Sequence, residues 1–478
     1  MKVLRYCAGI MLVAAAAVAA DKSTEELRKD FENYKKTSEA RIRLLEKREG
    51  RQIDDTDWSK VLQGFEFHGY FRAGLGVNGD GDSMEAFKAP NAGAKYRLGN
   101  EAESYIEATF QKNFLSRKLM HDSVDFFTKL TFAYVTPTSN NNTFDTTTSI
   151  REAYAGARGV WKAQPDAMFW AGNRYYEHLD IHINDFFFRD LAGFGGGIED
   201  VAVGEKSKFA LAWLGGSIDE MSSDGTAYTT DYHFNKNLID ARLYDLNAGI
   251  GSLALYADAA WFEGDDFSVS SDSADDIIIE SSSGWAVGAI FLSPINDNLQ
   301  NRFSAQYGAG AADNFKTVMT APQGVIIPSA GGLVIDSGES GRLRLTDDFL
   351  IKTGNPISMQ FVTIYEHYDN GMDKQNTIDW ISVGVRPIYH FNDYFSLAFE
   401  GGADYTNQKD GPDGTLGKFT LAPQIQPGRG FFGRPSIRAF VTYAVWSGSD
   451  DFESTVAPAA YSTDTAGLSM GVQMEAWW

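Results

Sequence analysis

The chain of 478 residues holds one cysteine, Cys7, and it lies within the first twenty positions. Those positions run from a basic start, Met1-Lys-Val-Leu-Arg5, through an apolar stretch to Val18-Ala-Ala20, and turn polar at Asp21. A basic start, a short apolar core and small residues at the end read as a secretory signal peptide over residues 1–20. The alternative, a membrane-spanning helix, needs roughly 20 apolar residues in a row, and this stretch is shorter. Removing the signal leaves no cysteine, which excludes disulfide and thiol chemistry. Long apolar runs are missing from the rest of the chain too. That excludes transmembrane helices there but not transmembrane strands, whose apolar residues come only at every second position.

Basic residues are outnumbered. Lys and Arg total 42 against 64 Asp and Glu, for a net charge of -22, and -24 once Lys2 and Arg5 leave with the signal. Phosphate neutralisation needs basic clusters, so nucleic acid is not expected as a partner. Seven histidines are present and none sits in a recognisable nucleophile motif, so no enzyme activity is expected. Gly195-Gly-Gly197 reads as a turn or loop, without the strand–loop–helix setting of a phosphate cradle. No cofactor is expected.

What is there is alternation. In the last eleven residues Leu468, Met470, Val472, Met474, Ala476 and Trp478 share one parity, and Ser469, Gly471, Gln473, Glu475 and Trp477 the other. Successive strand side chains point to opposite faces, so one face is apolar and the other mostly polar. The length suits a tilted strand crossing a bilayer, and the aromatic end suits an interfacial girdle. The same split occurs at Phe65, Phe67, Gly69, Phe71 and Ala73 against Glu66, His68, Tyr70, Arg72 and Gly74. It recurs at Ile106, Ala108 and Phe110 against Tyr105 and Glu107, and at Ile437, Ala439, Val441, Tyr443 and Val445 against Ser436 and Arg438. Turn-like clusters separate such segments at Asn78 to Asp82, Ser139 to Asn142, Ser270 to Asp275, Asp410 to Gly414 and Ser447 to Asp451. The expected fold class is all-β: one transmembrane antiparallel β-barrel over residues 64–478, with roughly 16 to 18 strands at about ten residues each.

Residues 21–63 differ. Asp21 to about Asp55 is highly charged, lacks glycine until Gly50 and reads as helix, with Asp54 to Leu62 as a linker. Leu27, Phe31, Tyr34, Ser38, Arg41 and Leu45 follow the alternating steps of four and three of a coiled-coil seam, although Ser38 and Arg41 also allow an isolated amphipathic helix. A periplasmic or cell-wall contact through residues 21–55 stays open.

Two sets fall on the polar parity. Tyr70, Tyr105 and Trp477 are rings where a water-filled lumen has no general need of them. They suit a ligand with both apolar and polar faces, sugars foremost, or they pack against folded-in loops. The second set is Arg174-Tyr-Tyr-Glu-His-Leu-Asp180-Ile-His182-Ile-Asn-Asp185-Phe-Phe-Phe188. His178, Asp180, His182 and Asp185 have the look of metal ligands, but the neighbouring Arg and rings favour a charged hydrogen-bonding rim around a narrow passage.

At these residues the sequence resembles the maltoporin family of sugar-specific outer-membrane porins. The matching segments are Phe67-His-Gly-Tyr-Phe-Arg72, Lys95-Tyr-Arg-Leu-Gly-Asn-Glu101, Arg151-Glu-Ala, Trp170-Ala-Gly-Asn-Arg-Tyr-Tyr176, Asp180-Ile-His-Ile-Asn-Asp185, Val383-Gly-Val-Arg-Pro387, Arg434-Pro-Ser-Ile-Arg438 and Gly471 to Trp478. The N-terminal helical extension is similar to that of the sucrose-porin branch. The resemblance implies a homotrimer of eighteen-stranded barrels in the lipid of a Gram-negative outer membrane, carrying oligosaccharides of maltodextrin or sucrose type. It implies an inward-folded third loop and an aromatic slide of Tyr70, Tyr105, Phe432, Trp477 and Phe144, the last reaching into a neighbouring subunit. It implies a polar track and constriction of Arg72, Arg97, Glu107, Arg151, His178, Asp180, His182, Asp185 and Phe187. The departures lie at the constriction and exit: His178 replaces an arginine, Phe187 a tyrosine, Phe432 a tryptophan and Gln300 a slide aromatic, and Ala102 fills one place of a missing cysteine pair.

Overall fold

The computed structural model describes residues 63–136, 147–216, 236–268, 276–317, 333–335, 337–353, 355–371 and 377–478, together with Lys29 and Glu32. The signal peptide, the helical reading of residues 21–55 apart from Lys29 and Glu32, the linker, two of the turn clusters (139–142 and 270–275) and Phe144 fall outside the described residues. The chain divides into two units, Met1–Phe65 and Glu66–Trp478.

In chain order the strands are β1 (Phe65–Asn78), β2 (Tyr105–Leu115), β3 (Asp125–Val135), β4 (Thr147–Arg158), β5 (Met168–Arg174), β6 (His178–Ile181), β7 (Phe186–Asp190), β8 (Gly193–Val203) and β9 (Ser207–Gly216). There follow β10 (Lys236–Asn247), β11 (Ser252–Phe262), β12 (Asp265–Ser268), β13 (Asp276–Ile279), β14 (Ser282–Pro294), β15 (Leu299–Ala309), β16 (Leu333–Ile335) and β17 (Gly341–Ile351). The last are β18 (Ile357–Asp369), β19 (Thr377–His390), β20 (Phe395–Gln408), β21 (Asp413–Ile425), β22 (Ser436–Gly448) and β23 (Ala466–Trp477). Eighteen of them form one sheet, within which β5 pairs with β8, β11 with β14 and β15 with β17. β1 pairs with β23, Tyr70 facing Trp477, and this pairing closes an antiparallel barrel with no free edge. β6 and β7 stand apart as a hairpin. The upper end of the expected strand range is the observed one.

Burial in the barrel runs inside out. On β20 Phe395, Phe399, Ala403 and Tyr405 are exposed, whereas Ser396, Glu400, Asp404 and Thr406 are buried. β22 repeats this, with Ile437, Val441 and Tyr443 outside and Ser436, Arg438 and Thr442 inside. An exterior of unpartnered Ile, Val and Phe suits hydrocarbon and no other solvent. The charged interior survives because its charges are paired: Arg342 and Arg344 bond Glu366, Arg386 and Lys418 bond Glu400, and Arg302 bonds Asp348.

Two segments fold into the barrel. The first connects β1 to β2 and buries Phe87, Tyr96 and Leu98. The Tyr96 ring lies over two bare wall positions; a Cβ added at Gly384 or Gly402 would come within 2.1 or 2.2 Å of it. Its hydroxyl shares a 2.8 Å hydrogen bond with Ser382 Oγ. Lys418 donates to the Leu98 carbonyl at 2.6 Å, and the Leu98 N–H donates to Glu400 at 3.0 Å. The second segment is the β6–β7 hairpin, where Phe186 meets Trp380 edge-on at 5.1 Å. Wall arginines donate to its backbone carbonyls: Arg302 to Asp180, Arg386 to Ile183 and Arg344 to Phe188. Arg189, fully buried, ties the hairpin to Asp240 on β10 and Asp258 on β11. An irregular segment inside a barrel must have its backbone groups satisfied, and these arginines do that.

One expectation is corrected. Gly195-Gly-Gly197 is not a turn; it lies within β8. A Cβ on Gly195 would meet the Trp213 carbonyl oxygen at 2.1 Å and one on Gly197 the Leu211 oxygen at 2.6 Å, so the bare backbone lets β8 lie close to β9. A triple glycine lowers strand propensity, which is why pattern alone misreads it.

Candidate functional site

The two inserted segments bring side chains against β1 and β23: Arg97 meets Tyr70 and Glu475, and His182 meets Trp477. Tyr70 on β1, Tyr105 on β2 and Trp477 on β23 face inward, as their parity predicts, and their rings form a row. Tyr105 meets Tyr70 edge-on at 5.9 Å between centroids. Tyr70 and Trp477 are nearly parallel at 6.1 Å and 17°. Phe432, from the connection between β21 and β22, continues the row 6.4 Å from Trp477. Four of the five expected slide residues are therefore contiguous, and Phe144 lies outside the described residues. Three strands and one connection supply them, so the row exists only in the closed barrel.

Charged groups flank the row. Arg72 lies 5.0 Å from the Tyr105 ring centre and pairs with Glu103 at 2.5 Å and Glu101 at 3.6 Å. Arg97, from the first inserted segment, donates to the Tyr70 hydroxyl at 2.9 Å and pairs with Glu101, Asp185 and Glu475. Glu475 is the hub. Arg434 reaches it at 2.7 Å, Arg438 at 3.2 Å and Arg97 at 3.4 Å, and the Tyr70 hydroxyl donates to it at 3.1 Å. Arg434 also lies over the Trp477 ring at 4.1 Å. One carboxylate thus fixes two arginines that in turn hold two rings.

The hairpin and the residues just before it add a further group of side chains beside the row. His178 is stacked between Tyr175 and Phe187, at 4.4 Å and 4.0 Å between centroids. Glu107 ties this group to the row: its Oε1 accepts from the Tyr105 hydroxyl at 2.5 Å and from the Tyr175 hydroxyl at 2.7 Å. His182 stands between Arg97 and Arg434, with its ring nitrogens 3.5 Å and 3.4 Å from their guanidinium nitrogens, and meets Phe432 and Trp477 edge-on. Burial first, and then the Arg97 charge, hold His182 well below the ordinary histidine range. Asp185 turns toward Arg97 at 3.7 Å. Asp180 offers its backbone carbonyl to Arg302, and its carboxylate makes no ion pair among the described residues.

Arg151 is the expected residue that stays out of this network. A β-bulge on β4 skips it in the pairing with β3, Thr131 facing Glu152 and Phe132 facing Ile150. Its side chain is exposed and makes no ion pair among the described residues. The four residues with the look of metal ligands do not converge, and among the described residues no three His, Cys, Asp or Glu side chains gather as ligands would.

Sequence reasoning missed Tyr175, Asp190, Arg434 and Glu475 as site residues. Parity already marked Glu475 as inward, and its lone charge on an otherwise uncharged strand was the available signal. Nothing in the sequence showed that three arginines converge on it.

The LamB porin family matches residues 65–478. Among solved structures the chain is similar to OccAB2 of Acinetobacter baumannii, at 10% identity and a TM-score of 0.45 over 87% of this chain and 98% of that one. DcaP of the same organism is similar at 11% identity and a TM-score of 0.42, over 87% and 97%. OmpF of Salmonella typhi, in complex with daunomycin, is similar at 9% identity and a TM-score of 0.42, over 87% and 97%. The family match takes in every strand of the barrel from β1 to β23, and the chain belongs to the LamB porin family, as an outer-membrane diffusion channel rather than an enzyme.

Proposed function

We propose that this channel is selective for sugars and carries oligosaccharides of maltodextrin or sucrose type by passive, facilitated diffusion. The observation that supports this best is the unbroken row Tyr105, Tyr70, Trp477 and Phe432, flanked by Arg72, Arg97, Glu107 and Asp185. A sugar has CH faces that stack on rings and hydroxyls that meet charged acceptors and donors at its edge. Transport needs binding strong enough to recruit the sugar and weak and divided enough to release it. A row of modest stacking contacts meets that need; one deep pocket does not. His178, Asp180, His182, Phe187 and Arg151 complete the polar track and constriction on this reading, and Phe144 extends the slide.

The same reading makes the protein a homotrimer, with residues 1–20 an export signal and residues 21–63 a periplasmic extension able to contact the cell wall or a partner. The outward face of β4, β5 and β8 favours self-association: Ala155, Ala171 and Gly196 lie in register across three strands, and such small residues let another surface approach closely. Gel mobility with and without heating, backed by native mass spectrometry, reads the subunit number.

Single-channel conductance in planar bilayers tests the sugar reading, with sucrose and maltodextrins titrated in. Saturable current block by one sugar class supports it and names the substrate. Conductance indifferent to every sugar refutes it and leaves a general diffusion porin.

A further inference from the structure

His178 is held on three sides, and the fourth is informative. Tyr175 covers one face of its ring, with planes 8° apart, and Phe187 the other, at 25°. Its Nδ1 lies 2.7 Å from Asp190 Oδ1, directly across the β6–β7 pairing. That carboxylate oxygen also accepts the Ala192 N–H at 3.1 Å. Asp190 is itself anchored, because its backbone N–H donates to the Phe315 carbonyl and its carbonyl accepts the Thr317 N–H. An ionised carboxylate has no hydrogen to give, so the hydrogen in the His178–Asp190 bond sits on Nδ1. In the neutral ring Nε2 is then a bare acceptor. Among the described residues it has no hydrogen-bond partner, and the side chain is 27% exposed. With both faces covered and Nδ1 bonded, Nε2 is the one polar atom of the ring left without a partner among the described residues.

We propose that His178 is the neutral hydrogen-bond acceptor of the constriction: Asp190 holds it as the Nδ1–H tautomer, Tyr175 and Phe187 clamp its plane, and Nε2 receives a hydroxyl hydrogen from the passing sugar. The inference rests on the sugar reading and deepens it. Asp190 and Tyr175 act as positioning residues. Tyr175 has a further tie, since its hydroxyl and that of Tyr105 share Glu107 Oε1. The clamped ring is therefore registered against the slide. Arg72, Arg97 and Arg302 along the track are donors only, and His178 adds an uncharged acceptor to the carboxylates there, so a sugar hydroxyl can direct its hydrogen to Nε2 while its oxygen accepts from a guanidinium.

Two measurements test this on the full-length protein. Nitrogen-15 NMR of the detergent-solubilised channel near pH 7.5, with the His178 signal assigned by its loss in His178→Phe, reads the tautomer directly. Protonated Nδ1 with bare Nε2 is expected, and Asp190→Ala, which takes away the acceptor that holds the hydrogen on Nδ1, is expected to release that preference. An Nε2–H tautomer or a doubly protonated ring in the wild type overturns the assignment. The second measurement is sugar block of single channels. His178→Phe keeps the stack and loses the acceptor, and a neutral hydrogen bond of ordinary strength corresponds to about 3- to 10-fold weaker binding of sucrose or maltose. A deoxyfluoro sugar lacking the donating hydroxyl is expected to bind the two channels equally. Equal binding of the parent sugars by both channels, or no fluorinated analogue that abolishes their difference, overturns the acceptor role. A wild-type channel that no sugar blocks refutes the sugar reading itself, and the NMR result still decides the ring.

Discussion

Glu475→Gln removes one charge and almost no volume. The carboxylate is 4% exposed, and the three arginines that converge on it are 3%, 6% and 8% exposed. Their charges are desolvated, so losing the shared partner is expensive. Removing one member of a buried ion pair costs about 3–5 kcal/mol. The wall can relax into lumenal water, which favours the low end, and about 3 kcal/mol is roughly a hundredfold in the folding equilibrium. A second effect follows from the geometry. Arg97 donates to the Tyr70 hydroxyl and Arg434 covers Trp477, so freeing these arginines loosens the two central rings of the row. Urea titration of folding into phosphocholine vesicles reads the first effect, as a lower midpoint. Sugar residence time in single channels reads the second, as a shorter block. An unchanged midpoint together with unchanged residence time would refute the hub argument.

Trp477→Ala breaks the row between Tyr70 and Phe432, so sugar release is expected to accelerate while the association rate changes little, as current-noise analysis can resolve. Gly402→Ala places a Cβ 2.2 Å from the Tyr96 ring and displaces the first inserted segment, so ion conductance is expected to rise; a wild-type value would mean that this segment does not narrow the pore. Because His182 is held below the ordinary histidine range, the unfolded chain takes up its proton first as pH falls below about 6.5, and folded-state stability is lost in that direction. His182→Gln is accordingly expected to lose less stability than the wild type between pH 7.5 and 5.5 in urea titrations, and equal losses would count against the buried neutral ring. Val472→Arg puts a charge on an exposed apolar position midway along β23, with an expected cost of about 2–4 kcal/mol of folding into vesicles if that position faces hydrocarbon.

Much of the fold was legible because a half-buried strand announces itself locally. Parity alone assigned Tyr70, Arg72, Tyr105, Glu107 and Trp477 to the inner face, and the register of β1 on β23 follows that assignment. Gly195 to Gly197 misled because glycine carries no pattern of its own; what keeps that run in β8 is the closeness of the β9 backbone, which is a property of the neighbour. His178 illustrates the same limit from the other side. Its charge type suggested a hydrogen-bonding rim, whereas its stacking and its bond to Asp190 depend on how β6 pairs with β7.

Which side chains face lipid and which face the lumen follows from the alternation within each strand, since a period of two is a local property. Closure of the eighteen-stranded sheet decided which lumenal side chains meet. Tyr70 and Trp477 stand more than four hundred positions apart in the chain and become neighbours only when β1 pairs with β23. The same closure draws Arg97, Arg434 and Arg438 onto Glu475, because a buried carboxylate among arginines is stable only where several elements deliver charge to one point.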